Sequence, residues 1–312
     1  MKILVNDGME ESGIEALRQH GFEVITQKIA QEDLFNELQQ FDGIIVRSAT
    51  KVRKELIDAC PQLKFIARGG VGMDNIDVEY ARSKNIVVIN TPASSSRSVA
   101  ELAMVHLLAC TRGLASSIRS VHDASSFQAT KKTLSECREI KGKNLLLLGF
   151  GRIGSELAKM ALGSEMNILV FDPFIEQASV EINIGSHKIV VKPEMIEFGE
   201  GLARADYISL HAPFSGQAIL NEEAFEKMKS GVIIINTSRG ENIDEAALIN
   251  NLNSGKVSAA GLDVFQNEPN INPEIIQHPN VCISPHIGAS TQEAQARIAE
   301  ELVEKIASVF SK

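Results

Sequence analysis

The hydrophobic residues of this chain fall into short, nearly continuous runs that are separated by longer amphipathic stretches. The runs that indicate strands are Ile3–Val5, Gly43–Val46, Leu63–Ala67, Val87–Ile89, Leu145–Leu148, Ile168–Phe171, Tyr207–Leu210, Val232–Ile235 and Val281–Ile283. Runs that are apolar on both faces are typical of strands buried inside a parallel sheet. Helical patterns lie between them, for example in Glu10–His20 and Glu245–Ser254. This alternation predicts an α/β fold built on open, doubly wound parallel sheets with right-handed crossovers.

Three stretches outside the strand pattern shape the predicted organisation. A seam falls near Asn90–Pro92, and the pattern after it predicts one long helix over Ser98–Arg119. The polar stretch Asp123–Lys143 shows no clear periodicity and predicts a linker. Apolar residues at helical spacing predict a closing helix over Gln292–Phe310.

Composition and charge narrow the class of protein. With 312 residues, 44% of them hydrophobic, the chain is long enough for two domains with their own cores. A net charge of −9 argues against nucleic acid or a membrane surface as partner, because both are polyanions. A small anionic substrate stays possible, since it needs only a local basic pocket.

The four cysteines indicate the compartment. Cys60, Cys110, Cys137 and Cys282 are scattered without a CxxC pair, so the spacing predicts neither a disulfide framework nor a metal site. The first residues lack the long apolar segment of a signal peptide. These observations favour a reduced, cytoplasmic setting.

A glycine-rich turn carries the strongest binding signal. The strand at Leu145–Leu148 runs into G-x-G-x-x-G, formed by Gly149, Gly151 and Gly154, and a helical pattern follows. The three glycines allow a tight turn, close approach to a pyrophosphate and close helix–strand packing. Asp172 ends the next strand, where a carboxylate can accept both ribose hydroxyls and repel a 2′-phosphate. The pattern predicts a dinucleotide site that prefers NAD over NADP.

Three polar residues follow the later strands, where ligands bind in open α/β sheets. Arg239 comes after Val232–Ile235, His286 comes after Val281–Ile283, and Glu268 lies in the segment before it. Oxidation of a 2-hydroxy acid needs a base for the hydroxyl proton, and a histidine titrates near neutrality. Glu268 would orient the imidazole, and Arg239 would hold the substrate carboxylate. We therefore predict Arg239, Glu268 and His286 as the catalytic set.

On these motifs the chain resembles the D-isomer-specific 2-hydroxyacid dehydrogenases over nearly its whole length. The segments that carry the resemblance are the fingerprint, Met228–Asp244, Gly261–Pro269 and Pro285–Thr291. The resemblance implies the same catalytic set. It also implies further NAD contacts at Arg152, Ile153, Pro213, Thr237 and Asp263.

Within this family the chain resembles the members that oxidise 3-phosphoglycerate at the start of serine synthesis. The segments Val46–Val52 and Arg68–Asn75 look like their two substrate loops, which implies substrate contacts at Arg47, Ser48, Lys51, Arg68 and Gly70. The cations among these would supply positive charge for a phosphate and a carboxylate on an otherwise acidic protein. From the motif alone, the glycine turn after Arg68 is equally consistent with a purely structural role.

The resemblance also implies a domain plan. A Rossmann nucleotide domain, residues 93–286, would be inserted into a flavodoxin-like substrate domain formed by residues 1–92 and 287–312. The helix after Pro92 would join two copies into a homodimer.

Two other functions remain open at this point. A glyoxylate or hydroxypyruvate reductase would share the cofactor site and catalytic set without needing to bind a phosphate. An NAD-sensing corepressor of the same fold would act as a binding protein, but it has no need for a complete catalytic set.

Overall fold

The computed structural model describes residues 1–311, and the last residue of the expected segment 287–312, Lys312, lies outside the described residues. The strands are β1 Lys2–Val5, β2 Glu23–Ile25, β3 Gly43–Val46, β4 Phe65–Arg68, β5 Val87–Asn90, β6 Asn144–Leu148, β7 Asn167–Phe171, β8 Val180–Ile184, β9 His187–Val191, β10 Glu194–Met195, β11 Tyr207–Leu210, β12 Val232–Asn236, β13 Val257–Leu262 and β14 Val281–Ile283.

The helices alternate with these strands through most of the chain. They are α1 Glu11–Gln19, α2 Leu34–Glu37, α3 Lys54–Ala59, α4 Val78–Ser83, α5 Ser96–Thr111, α6 Leu114–Ser120, α7 Ala124–Thr133, α8 Arg152–Gly163, α9 Phe198–Arg204, α10 Glu222–Lys227, α11 Glu245–Asn253, α12 Pro273–Gln277 and α13 Gln292–Phe310. Short 3-10 turns follow α2, α7 and β12.

The chain divides into two compact units, and the first is built from both ends of the sequence. Unit 1 contains residues 1–98 and 289–311, and unit 2 contains residues 99–288. The first division falls in the first turn of α5, after the seam expected near Asn90–Pro92.

Unit 1 is a doubly wound α/β unit. Its parallel sheet has the strand order β2-β1-β3-β4-β5. The chain turns back at β1 and β3, which is the flavodoxin-like order. Helix α13 is capped by Thr291, whose side chain accepts from the Ala294 amide, and it packs on α1. Its apolar face, including Ile298 and Leu302, enters the core cluster on that side of the sheet.

Unit 2 is a larger parallel α/β unit. Its seven-stranded sheet has the order β10-β7-β6-β11-β12-β13-β14, so the strand order reverses between β6 and β11. Two core clusters cover the two faces of this sheet, as the nearly continuous apolar runs require. The antiparallel hairpin β8–β9 is inserted between β7 and β10.

The single helix predicted over Ser98–Arg119 is wrong, because it is broken at Gly113. This residue takes the left-handed conformation at φ 59°, which a glycine adopts without strain. A side chain there would also collide with Leu134. Helices α5 and α6 are bent by 63° about the break. No single helix within residues 1–311 has the length and apolar character of a membrane span, although this bent pair together has the required length and composition.

The predicted linker over Asp123–Lys143 is also wrong, since it contains α7. A capping box starts the helix. The Asp123 carboxylate accepts from the Ser126 amide, and the Ser126 hydroxyl oxygen accepts from the Asp123 amide. Its residues are not buried, so no hydrophobic periodicity marked it in the sequence.

Candidate active site

The glycine turn of unit 2 has the geometry of a phosphate-binding loop. Gly149 directly follows β6 and has a φ of 95°, and a Cβ there would lie 2.8 Å from the Ala212 amide nitrogen. A Cβ on Gly154 would lie 2.5 Å from the Gly149 carbonyl oxygen, so only glycine lets α8 start this close to the strand. Gly151, in contrast, faces open space. The turn therefore leaves room for a ligand at one point and is crowded by backbone at the other two.

Helix α8 presents free donors at this turn. Gly151 is its N-cap and has no side chain to cap the first amides, so the N–H groups of the first turn point outward with the positive end of the helix dipole. Arg152 is exposed and Ile153 is half-buried in that same turn. These features fit a pyrophosphate group.

Asp172 follows β7 and is fixed by backbone donors. Its Oδ2 accepts from the Phe150 amide at 2.8 Å and its Oδ1 from the Phe174 amide at 2.9 Å. A carboxylate has about four lone-pair positions, so it can still accept the two hydroxyls of a ribose. Its negative charge opposes a 2′-phosphate at the same place.

The remaining predicted cofactor residues stand at the carboxyl ends of neighbouring strands. Exposed Pro213 follows β11, and Thr237 follows β12. The Thr237 hydroxyl oxygen is buried and has no hydrogen-bond partner within residues 1–311, which suits a ligand that supplies one. Together with the glycine turn, these residues fit NAD.

Asp263, directly after β13, is only 1% exposed and serves the neighbouring loop. Its carboxylate accepts from the Ser284 hydroxyl at 2.6 Å and from the Ile287 and Gly288 amides, both at 2.9 Å. Its carbonyl accepts from the His286 amide at 2.9 Å. Asp263 therefore anchors the loop that carries His286, and its contact with a cofactor stays a prediction.

The predicted histidine and glutamate form a hydrogen-bonded pair. His286 Nδ1 lies 2.8 Å from Glu268 Oε2, and Glu268 Oε1 accepts from the Phe265 amide at 2.9 Å. His286 takes a left-handed backbone conformation at φ 53°, rare for a residue with a Cβ. With Nδ1 bound to the carboxylate, Nε2 is the ring nitrogen that can exchange a proton with a ligand.

The pair is electrostatically tuned as an acid–base group requires. The hydrogen bond to Glu268 raises the pKa of His286 above its usual value, although burial opposes this. Burial raises the pKa of Glu268, but its hydrogen bonds with His286 and Phe265 and the charge of Arg239 outweigh burial and hold that pKa below its usual range. Glu268 is therefore ionised at neutral pH and supports a protonated imidazole.

A close backbone approach brings Arg239 to this pair. Gly240 lies so near Phe265 that a Cβ would overlap its carbonyl carbon. The charge of Arg239 acts on both His286 and Glu268, so the guanidinium lies within electrostatic range of the pair. The three predicted catalytic residues are thus brought together within unit 2.

The predicted substrate residues form a second cluster, within unit 1. Asp7 accepts from the Arg47 amide at 2.8 Å and from the Thr50 amide and hydroxyl at 3.0 and 2.7 Å. Asn75 donates to the Arg47 and Thr50 carbonyls at 2.8 and 2.6 Å and accepts from Arg68 Nε at 3.1 Å. Asn75 therefore joins the two predicted substrate loops.

The polar and charged side chains of these two loops differ in their exposure and in the space around them. Gly70 sits at φ 153°, and a Cβ there would lie 2.6 Å from an Arg68 guanidinium nitrogen, so the glycine makes room for that side chain. Ser48 and Lys51 are exposed and Arg47 is half-buried.

Sequence reasoning missed Asp7 and Asn75 as residues that position the loops. Asp7 carried a usable signal, because it follows β1 at the same carboxyl edge as Arg47 after β3 and Arg68 at the end of β4. Asn75 carried none of its own, since a polar residue in a glycine-rich loop is ordinary.

A doubly wound sheet with a dinucleotide-binding turn and an Arg, Glu and His set defines an NAD-dependent oxidoreductase. Residues 104–288 match the family described as D-isomer specific 2-hydroxyacid dehydrogenase, NAD binding domain. The chain is 42% identical over 311 residues to a hydroxypyruvate reductase from Thermotoga maritima, covering 98% of this chain and 97% of that protein. The chain belongs to the D-isomer specific 2-hydroxyacid dehydrogenases.

Two further relatives carry a different name. A D-3-phosphoglycerate dehydrogenase from Archaeoglobus fulgidus is 39% identical over 314 residues, and this chain spans 57% of its length. The solved NAD⁺-bound 3-phosphoglycerate dehydrogenase of Entamoeba histolytica is 28% identical and matches with a TM-score of 0.81, covering 100% of this chain and 96% of that one. The expected fold class and the NAD cofactor are confirmed.

Proposed function

We propose that this protein oxidises 3-phospho-D-glycerate to 3-phosphohydroxypyruvate with NAD, the reaction that opens serine synthesis. The observation that carries the proposal is the pair of cations in the first loop of unit 1. Neither the Arg47 guanidinium nor the Lys51 ammonium has a hydrogen bond or ion pair within residues 1–311. Two cations on one short loop of a protein with net charge −9 suit a phosphate ester.

The residues of unit 2 account for the chemistry. When bound, NAD supplies the hydride acceptor. His286 Nε2 takes the proton of the substrate hydroxyl during oxidation and returns it during reduction. Glu268 holds the imidazole by Nδ1 and stabilises its protonated form, while Arg239 binds the substrate carboxylate and polarises the oxygen at C2.

The roles of the other predicted site residues follow from the same assignment. Arg152, Ile153, Asp172, Pro213, Thr237 and Asp263 would contact NAD, together with the three fingerprint glycines. Arg47, Ser48, Lys51, Arg68 and Gly70 would contact the substrate. We also infer a homodimer that works in the cytoplasm.

A second candidate, hydroxypyruvate or glyoxylate reduction, is supported by the Thermotoga maritima relative, whose length this chain matches almost fully. The relatives named as phosphoglycerate dehydrogenases are longer, and this chain spans about half of each. This reaction would use the same acid–base pair and leave Arg47 and Lys51 without a phosphate partner.

A side-by-side assay separates the two candidates. Initial rates of NADH oxidation are measured with 3-phosphohydroxypyruvate, hydroxypyruvate, glyoxylate and 2-ketoglutarate. The proposal expects the highest kcat/KM with the phosphorylated acid. A higher kcat/KM with hydroxypyruvate or glyoxylate would overturn the assignment of substrate and leave the family unchanged.

Substitution of the loop cations tests why the phosphate is preferred. Arg47→Gln and Lys51→Gln should each lower kcat/KM for 3-phosphohydroxypyruvate by about tenfold or more, since a charged hydrogen bond contributes roughly 1.5–3 kcal/mol. The value for hydroxypyruvate should stay unchanged. Arg82→Gln is the matched control, because Arg82 is an exposed cation of unit 1 that pairs with Glu79. Equal losses with both substrates would contradict a phosphate contact.

A further inference from the structure

Buried His106, on α5, is a polar residue that the proposed chemistry does not use. It is only 2% exposed, although its ring carries two nitrogens. Nε2 lies 2.7 Å from the Ser284 hydroxyl oxygen, on a segment 178 residues further along the chain. Nδ1 is buried and has no hydrogen-bond partner within residues 1–311. A buried polar group left half satisfied costs stability, which indicates that its one hydrogen bond serves another purpose.

The hydrogen bonds around Ser284 fix the direction of this contact. The Ser284 hydroxyl donates to Asp263 Oδ1 at 2.6 Å in a buried contact. A hydroxyl has one hydrogen and a carboxylate can only accept, so the Ser284 oxygen must accept from His106. His106 therefore carries a hydrogen on Nε2. The three side chains form a donor chain, in which His106 donates to Ser284 and Ser284 donates to Asp263.

Asp263, at the end of the donor chain, holds the loop of residues 284–288. Its Oδ1 also accepts from the Ile287 amide and its Oδ2 from the Gly288 amide, both at 2.9 Å. Its carbonyl accepts from the His286 amide at 2.9 Å. The last three amide hydrogens of the loop are thus accepted by one residue, so the orientation of Asp263 decides the shape of the loop.

The loop needs this support because of its backbone conformation. His286 has a φ of 53°, in the left-handed region that a residue with a Cβ keeps only when its surroundings enforce it. In this conformation its Nδ1 meets Glu268 Oε2 at 2.8 Å. The loop is also closely packed, since a Cβ on Gly288 would lie 3.2 Å from both Asp263 Oδ2 and Val99 Cγ2 of α5. Rotation of the Asp263 carboxylate would release the His286 backbone and move the imidazole away from Glu268.

We propose that His106 and Ser284 are positioning residues that hold the loop of His286 through Asp263. Neither side chain is assigned a contact with substrate or cofactor. His106 fixes the Ser284 hydroxyl, whose hydrogen then points towards the carboxylate. Asp263 in turn keeps the rotamer in which both of its oxygens face the loop amides. This role rests on the proposed function, because that function makes His286 the group that exchanges the substrate proton.

The same hydrogen bonds could serve stability alone, so the test separates the donor group from the ring. The His106 ring packs closely on β13, where a Cβ on Gly261 would lie 2.6 Å from the His106 Cβ. In His106→Gln, the amide nitrogen stands the same number of bonds from Cβ as Nε2 does and can donate to Ser284. In His106→Leu, an apolar side chain of similar size replaces the ring and the donor is lost.

Turnover of these variants measures the role of the donor chain. The kcat for reduction of the preferred keto acid is measured at saturating NADH, and thermal unfolding is recorded in parallel. His106→Leu and Ser284→Ala should each lower kcat by about 10- to 100-fold, because a displacement of roughly 1 Å near the reacting atoms can cost 10²-fold. His106→Gln should keep most of the wild-type kcat. Thr111→Val is the matched control, since this buried hydroxyl of α5 bonds to the Leu107 carbonyl and the Tyr207 hydroxyl, and it should keep its kcat.

A double variant tests whether the two residues act in series. If His106 acts only through Ser284, His106→Leu should lower kcat no further in a Ser284→Ala background. Two independent structural effects would instead multiply, as they do for uncoupled sites. Multiplied losses, or a loss in His106→Gln as large as that in His106→Leu, would overturn the donor chain as the positioning device.

The pH profile gives a readout that a general loss of stability would not move. Glu268, Asp263 and Arg239 are the charged groups that act on His286, and the hydrogen bond to Glu268 is the main cause of its raised pKa. Displacement of the loop weakens that bond. The pH at which kcat/KM for reduction falls should therefore move to a lower value in both single variants that lose a donor. An unchanged profile alongside a lowered kcat would contradict the displacement.

A measurement without turnover keeps this proposal distinguishable from the proposed function. The full chain is labelled with ¹⁵N at its seven histidines. The buried Nε2–H of His106 should give an imidazole N–H cross-peak that is protected from solvent exchange, is absent in His106→Gln and shifts in Ser284→Ala. A wild-type protein without this cross-peak would overturn the donor chain, whatever its activity. A protein that shows the cross-peak but reduces no keto acid would overturn the proposed function and leave the donor chain in place.

Discussion

At the scale of single residues, the account depends on the proton held between His286 and Glu268. The hydrogen bond to Glu268 holds the pKa of His286 above the ordinary value near 6.5. Oxidation of a hydroxy acid needs neutral His286, and reduction of a keto acid needs it protonated. The rate of oxidation should therefore rise as pH increases through this raised pKa, and the rate of reduction should fall over the same range.

Glu268→Gln tests this coupling. Loss of the carboxylate removes the main cause of the raised pKa of His286. The pH at which kcat/KM for reduction falls should therefore move to a lower value. The maximal rate should fall by about 10² or more, the usual contribution of a positioned acid–base group. The measurement is kcat/KM for reduction across pH 5 to 10. Glu274→Gln, at an exposed carboxylate of α12, is the control, and an unshifted limb in Glu268→Gln would show that the pair does not set the pH dependence.

The same pair affects stability with a defined sign. Because the pKa of His286 is higher in the folded protein, the protonated pair stabilises the fold fully below the unfolded pKa near 6.5, and this contribution is lost as pH rises through the folded pKa. The side chain is 46% exposed, so solvent screening keeps the contribution small.

Asp172 sets the choice of cofactor in this account. Asp172→Asn removes the negative charge and keeps one of the two oxygens that accept from the Phe150 and Phe174 amides, since the new amide nitrogen can only donate. The preference for NADH over NADPH, measured as the ratio of kcat/KM values, should fall by about tenfold or more, because a charge repulsion of a few kcal/mol is lost. An unchanged ratio would mean that another residue excludes the 2′-phosphate.

At the scale of elements, the strands formed by continuous apolar runs were predicted best from the sequence. The nine strands predicted from apolar runs appear within a few residues of their predicted bounds, because two-sided burial leaves a continuous hydrophobic signature. The short strands β2 and β10, at the edges of the two sheets, were missed. Strand β13 was missed, since Val257–Leu262 is rich in alanine and glycine where His106 packs on Gly261. The exposed hairpin β8–β9 was missed because few of its residues are buried.

The candidate site was predictable for a related reason. In a parallel sheet every strand presents its carboxyl end at one edge, so polar residues after strands converge there. This rule found Asp172, Arg239 and His286. It could not find the close approach of Gly240 to Phe265, because that contact joins segments of different elements and leaves no periodic trace.

Gly240→Ala tests that contact between the two catalytic segments. A Cβ would overlap the Phe265 backbone, which cannot move aside as a flexible side chain can. We expect destabilisation by about 1–3 kcal/mol in urea unfolding, together with loss of turnover as Arg239 is displaced. Gly163→Ala is the matched control, since its Cβ meets nothing within 4 Å at the end of α8. The control should be neutral or more stable by up to about 1 kcal/mol. Equal behaviour of the two variants would contradict the required close approach.

At the scale of the whole molecule, an apolar surface on unit 2 bears on the inferred homodimer. Val105, Leu114, Ile118 and Phe127 of α5 to α7 are between 51% and 71% exposed. Exposed apolar residues gathered on consecutive helices are typical of a subunit interface. The resemblance stated from the sequence assigns to dimer formation the helix after Pro92, the stretch that forms α5 and α6.

Ile118→Glu should convert the protein to a monomer. The substitution places a charge at the most exposed of these side chains, where burial against a second copy would leave it unpaired. Light scattering after size-exclusion chromatography reports the mass directly. Ile184→Glu, at an exposed apolar position of the β8–β9 hairpin, is the control and should keep the wild-type mass. A wild-type protein that is already a monomer would refute the inferred dimer.

The central claim is that a carboxylate-supported imidazole moves the substrate proton, and His286→Asn tests it most directly. Turnover of the wild-type and variant proteins is measured with saturating NADH and 3-phosphohydroxypyruvate, and NADH binding is titrated in parallel. The account predicts unchanged NADH affinity with a loss of kcat of about 10² to 10⁴. A variant that binds NADH equally well and keeps its kcat would contradict the account.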